Sequence, residues 1–163
     1  MKRVSILVSL MVVCLPVMAM AAGDDLSGLM PEKAGDLVRV ELVTGAAAQA
    51  EVDELHGKPL PAEASVIGRY TRFGAKGRPN EVWVSRVESE KEARRQTGLM
   101  VHMMYENPKS PFKNPSRLEH NGIAVYRFTG MGQVHLIWFK ADLVYWVSSM
   151  ADDEQSMMDV FCR

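Results

Sequence analysis

The sequence predicts an α+β fold: one domain on a mainly antiparallel sheet of about six strands, ordered β-α-β-β-α-β-β-β-α, with three helices largely on one face. Three observations carry this. Short alternations of apolar and polar residues recur after residue 36, the connections at 130–132 and 141–142 are too short for anything but antiparallel reversal, and helix start and stop residues fall between groups of strands.

The elements follow in order. Val38, Val40 and Leu42 alternate with Arg39 and Glu41, which predicts a strand with one buried face. Ala and Glu enrichment predicts a helix over 46–55, entered at Thr44 and stopped by Gly57, Pro59 and Pro61. Strands at 65–73 and 81–87 are joined by a Gly- and Pro-containing loop at 74–80, a hairpin with a long tip. Ser89 stands three residues before Glu92, the spacing of a capping box, and opens a helix that runs to about Tyr105 before Asn107-Pro108 stops it. The interval 106–121 reads as a long, Pro-stiffened loop. Strands at 122–128, 133–139 and 143–149 then form a meander, and Asp152 with Gln155 opens a last helix through Met157, Met158 and Phe161. Trp83-Val84-Ser85 and Trp146-Val147-Ser148 close comparable strand groups, which suggests a duplicated strand–strand–helix unit.

Residues 1–21 carry Lys2 and Arg3, a short apolar run and Ala19-Met20-Ala21, the layout of a secretory signal peptide cleaved after Ala21. The expected location is periplasmic or secreted. Residues 22–34 are expected to be an N-terminal arm, and 35–163 the single domain. A 163-residue chain with 19 Lys+Arg, 20 Asp+Glu, 47% hydrophobic residues and two cysteines excludes a strongly basic nucleic-acid binder and a disulfide-dense scaffold. Only Cys162 lies beyond the signal segment, where it reads as a small apolar residue on the inner face of the last helix.

Leu55-His56-Gly57, the stretch from Tyr70 to Gly74 (Tyr-x-x-Phe-Gly) and that from Ser89 to Ala93 (Ser-x-x-Glu-Ala) resemble motifs of small exported bacterial α+β domains of unknown function. The resemblance implies a fold, with no reaction and no cofactor attached.

Chemistry is sparsely marked. No phosphate loop, dinucleotide fingerprint, GxSxG, HExxH or CxxC pattern is present. The sequence therefore favours a non-enzymatic binding domain whose partner is a protein or a small anionic or amphipathic ligand. Its candidate residues are the cations and aromatics of the hairpin and of the 106–121 interval: Arg69, Arg72, Trp83, Arg86, Lys109, Phe112, Lys113, Arg117 and Tyr126. The apolar residues on both faces of the meander suggest a second face open to a ligand, a partner or another copy of the chain. Two alternatives stand beside this. Met and His suit Cu(I), with His102 and Met104 as ligands, although at about 100° per residue Ala93, Met100, Met103 and Met104 share one helix side and His102 points away. A hydrolase-like site would use His135 or His120 as base near Ser148, Ser149 or Asp142.

Overall fold

A computed structural model describes residues 25–163; the signal-like segment 1–21 lies outside the described residues. An open antiparallel sheet forms from β1 (Lys33–Ala34), β2 (Leu37–Thr44), β3 (Ala64–Arg72), β4 (Asn80–Arg86), β5 (Lys113–His120), β6 (Ile123–Gly130), β7 (Gln133–Lys140) and β8 (Leu143–Ser149). Their spatial order is β1-β2-β3-β4-β8-β7-β6-β5. Among the described residues three helices accompany them: α1 (Gly45–His56), α2 (Glu90–Glu106) and α3 (Glu154–Phe161).

The fold is thus α+β and antiparallel, with eight strands among the described residues where about six were expected. The two additional strands come from the supposed arm and the supposed loop. Residues 25–34 are folded onto the sheet: Asp25 accepts the amide of Ser27 at 2.9 Å, starting a 3₁₀ turn at Leu26–Leu29, and Leu26, Met30 and Ala34 are buried. Residues 113–120 form an edge strand rather than loop. Asn121 and Gly122 both have positive φ, 50° and 77°, and fold β5 back onto β6 in a two-residue turn.

β2 departs from its expected pattern. Val38, Val40 and Leu42 are exposed at 40%, 61% and 37%. A bulge between Arg39 and Glu41 inserts Val40 and reverses the alternation beyond it, so that Val38 and Leu42 fall on opposite faces. Glu41 thereby reaches the face that carries Arg69.

The helices divide between the faces. α1 lies over β2 and β3 and α2 over β7 and β8, on one face; α3 and the 3₁₀ turn at Leu26–Leu29 cover the other. That other face holds the largest core, where Leu37, Val66, Tyr70, Val84, Leu136, Trp138 and Val147 meet Met157, Phe161 and Cys162. Tyr70 meets Phe161 edge-on at 5.5 Å and donates its hydroxyl to Pro31 O at 2.9 Å. Gly68 stands beside Tyr70 because space demands it: a Cβ there would lie 2.8 Å from the ring and 2.9 Å from Met30 Sδ. β7 is buried from Gln133 through Trp138, so the helices of this chain cover both faces of that strand, whereas Trp146 and Ser148 of β8 stay half-buried.

α2 starts at the expected serine, Ser89 Oγ accepting the amide of Glu92 at 3.2 Å, but the return bond of the capping box to the Ser89 amide is not made. The Glu92 carboxylate is engaged by Arg95 and Gln96, which hold its pKa down at about 2. Within α2, Met104 is buried whereas Met103 is exposed at 59%, so Met103 does not share the inner stripe expected of it. At the start of α3, Asp153 makes no side-chain cap. It is buried and takes hydrogen bonds from Arg72 and from Asn80, the latter at 3.0 Å.

Candidate functional site

The face under α1 and α2 contains an opening. The two helices do not pack on one another, because α1 sits above β2 and β3 and α2 above β7 and β8, leaving β4 between them. At about 4.8 Å per strand their axes stand three strand spacings apart, or ~14 Å, where packed helices approach to ~8–10 Å. The furrow between them is floored by the outward residues of β4 and β8.

Register defines that floor. Trp83 faces Trp146 directly, Glu81 faces Ser148, and the row continues from Trp146 to Ile137 and Tyr126. Both tryptophans are half-buried, and each donates its indole N–H two residues along its own strand, Trp83 to Glu81 at 2.9 Å and Trp146 to Ser148 Oγ at 3.0 Å. The ring faces are therefore fixed while the N–H groups are spent. Phe112 closes the β7 side, edge-on to His135 at 4.8 Å and to Trp146 at 5.6 Å. The opposite end is tied shut: Gln96 of α2 donates to Pro61 O at 2.9 Å, and Ser85 contacts Ser65, which donates to Gln49 of α1 at 2.7 Å.

One guanidinium and three carboxylates flank the floor. Arg69 lies 2.8 Å from Glu41, 2.5 Å from Glu51 of α1 and 3.7 Å from Glu81. Burial opposes its charge, but Glu51 and Glu41 more than offset that and its pKa rises. Arg69 is thus committed to acids and the cluster carries an excess of negative charge.

The remaining candidates separate. Trp83, Arg69, Phe112 and Tyr126 share this face. Arg72 lies on the other face with Asp153 and Asp36, and Arg86 lies 3.4 Å from Asp142 at the end of β4. Lys109 is exposed before β5, Lys113 is exposed at its first position, and Arg117 is exposed on β5 opposite Tyr126. The grouping of all nine around one ligand therefore does not form. His102 is exposed beside Glu106, at 3.2 Å, while Met104 is buried against Phe128 and Ile137. Among the described residues no three His, Cys, Asp or Glu converge as metal ligands, and no helix is long and apolar enough to cross a membrane.

His135 and Ser148 do meet, which spacing alone had not singled out from the other pairs. His135 is buried, with Nε2 3.0 Å from Gly130 O and Nδ1 3.0 Å from Ser148 Oγ. A carbonyl can only accept, so Nε2 carries the proton and Nδ1 accepts from Ser148. Burial lowers the His135 pKa and keeps the ring neutral. Ser149 points to the opposite face, and His120 lies at the far end of β5, 3.3 Å from Asp159.

Two concave regions lie elsewhere. One of about 370 Å³ is lined by Asp25, Thr44, Gly45, Gln49 and Ser65. Another of about 240 Å³ lies under the β3–β4 tip between Arg72, Lys76, Arg78 and Asp153. Neither contains the tryptophans. In the second, Arg72 and Asp153 neutralise one another; in the first, Gln49 and Ser65 are bonded together. The furrow presents the two half-buried tryptophans directly opposite one another, and for that reason we regard it as the site. No family model, no curated protein and no solved structure matches the chain.

Proposed function

We propose that the protein is an exported, non-catalytic binding domain that seats an amphipathic ligand on the Trp83–Trp146 pair. The supporting observation is the pair itself: two half-exposed indoles directly opposite one another on the two central strands, β4 and β8. Export rests on the residues at 1–21. The flanking Glu41, Glu51 and Glu81 against a single Arg69 favour a ligand bearing a cation or hydrogen-bond donors next to its apolar body.

Indole fluorescence tests this. Titration with alkylammonium and alkylcarboxylate amphiphiles of equal chain length is expected to shift emission with the ammonium series only, and Trp83→Ala is expected to weaken that response at least about tenfold. Equal responses to both series, or a response that survives Trp83→Ala, would refute the assignment.

A second reading is favoured by one distance, the 3.0 Å from Ser148 Oγ to His135 Nδ1, which is the contact of a nucleophile with its base. The Ser148 oxygen already accepts from Trp146, and His135 is oriented by a carbonyl rather than a carboxylate. Labelling of Ser148 by a fluorophosphonate probe, abolished in His135→Ala, would turn the assignment toward hydrolysis; absence of labelling rejects it.

A further inference from the structure

We propose that a second copy of this chain docks on the free edge of β5, pairing β5 with β5 antiparallel about Leu118 to make one continuous sheet.

The geometry starts at the Asn121-Gly122 turn. In a two-residue hairpin the flanking residues, His120 and Ile123, exchange both backbone hydrogen bonds. Alternation from that pair turns the backbone groups of Leu118 and Ser116 inward to β6 and those of Arg117 and Glu119 outward. Among the described residues the outward N–H and C=O groups have no strand beyond them, since β5 is the last in the sheet. Pro115 occupies the next outward position, where no N–H is available, and the register shift between Lys113 and Ser116 bends the strand away there. These features protect the first half of the edge and leave 116–120 open.

Charge then selects one register. Arg117 and Glu119 are both exposed and stand on the same face, and neither forms an ion pair among the described residues. Pairing two edges so that outward residues oppose outward residues allows three arrangements in which Arg117 and Glu119 meet themselves or one another. Centring on 117 sets arginine against arginine and brings Glu119 opposite Pro115, which has no N–H to give. Centring on 119 sets glutamate against glutamate. Centring on Leu118 sets Arg117 of each copy against Glu119 of the other, twice, and places Ser116 against His120. Only that arrangement satisfies the backbone and both charges together. Leu118, already half-buried against the main core, meets its own copy across the axis.

The surface is small, so the pair is concentration-dependent rather than obligate. Sedimentation of the full chain over a wide concentration range is expected to show a monomer–dimer equilibrium. Arg117→Glu and Glu119→Arg are each expected to weaken it about tenfold or more, because both cross-strand pairs become like-charged. The double variant is expected to restore it. An equimolar mixture of the two single variants is expected to form a heterodimer, since both carboxylates of the first variant then face guanidinium groups of the second. Circular dichroism and thermal unfolding check that the single variants stay folded. A wild type that remains monomeric, a dimer indifferent to the single substitutions, or a mixture that fails to associate would each overturn the proposal. None of these outcomes bears on the furrow, which lies several strands away.

Discussion

Asn80→Ala should be among the most damaging polar substitutions in this protein. Asn80 opens β4 and is 2% exposed. Its amide nitrogen donates to Asp153 Oδ2 at 3.0 Å and to Tyr70 O at 3.4 Å, and its oxygen accepts from Ser149 Oγ at 3.1 Å and from the Met150 amide at 2.7 Å. The consequences of removal are unequal. Ser149 keeps a second acceptor in Met150 O at 2.8 Å, and Asp153 keeps Arg72. The Met150 amide loses its acceptor, and a buried carboxylate loses one of two donors. A buried group left unsatisfied costs about 1–3 kcal/mol, so two such losses, one complete and one partial, give ~3 kcal/mol. For a domain of this size that corresponds to a fall of roughly 10 °C in Tm. Urea unfolding followed by circular dichroism measures the first quantity and calorimetry the second. Gln155→Ala, which removes only the exposed bond to Asp159, should cost less than about 0.5 kcal/mol. Should Asn80→Ala cost no more than Gln155→Ala, with unchanged denaturant slope, the network does not hold the β4–β8–α3 junction.

The buried His135 makes stability depend on pH. Its folded-state pKa is lowered from 6.5 by burial, so the unfolded chain binds the extra proton first; the stability is fully present above pH 6.5 and is lost as pH falls below it, with a slope of at most ~1.4 kcal/mol per unit. His135→Gln should flatten the urea midpoint between about pH 5 and 6.5, where the lowered carboxyls of Asp25 and Glu92 do not yet titrate; equal pH dependence in both proteins would contradict the assignment. Burial pushes the Cys162 thiol up to about 11. In a Cys14→Ser background Cys162 should resist an aromatic disulfide reagent at about pH 8 until denaturant is added, and prompt reaction of the folded protein would show that the thiol is accessible.

The parts of the fold that the sequence declares are those governed by local chemistry. The predicted strands at 122–128, 133–139 and 143–149 match β6, β7 and β8 to within two residues, because Gly and Ala-Asp turns bound them. α2 matches equally well, since Ser89 and Asn107-Pro108 fix its ends. β5 was hidden by its polar, proline-containing composition, although Asn121-Gly122 is itself a strong hairpin sequence that would have exposed it. The bulge at Val40 leaves no trace in the alternation it interrupts. For the site, simple parity would have separated residues that composition grouped. Arg69 and Arg72 are three apart on one strand, as are Trp83 and Arg86, so each pair must fall on opposite faces. Trp146 was visible only as an echo of Trp83, because nothing local states that β4 and β8 are neighbours.

That neighbour relation explains why the furrow lies where it does. The strand order places β1 to β4 and β5 to β8 as two halves that meet at Trp83 and Trp146, each half an antiparallel run turned toward the other. The correspondence extends to side chains: Ser85 reaches outward to Ser65 on β3 at 2.9 Å, and Ser148 reaches outward to His135 on β7 at 3.0 Å. The helices break it. α2 leaves β4 and crosses over β7 and β8, so a symmetric α3 would leave β8 and lie over β3 and β4 on the same face, covering Trp83. α3 instead turns to the opposite face, where Asp153 at its start is caught by Arg72 and Asn80. α1, inserted between β2 and β3, covers only the outer part of the vacated space. The uncovered tryptophan pair is therefore a consequence of where Asp153 is anchored, and the polar junction at Asn80 that holds the C-terminal helix also keeps the proposed binding surface open.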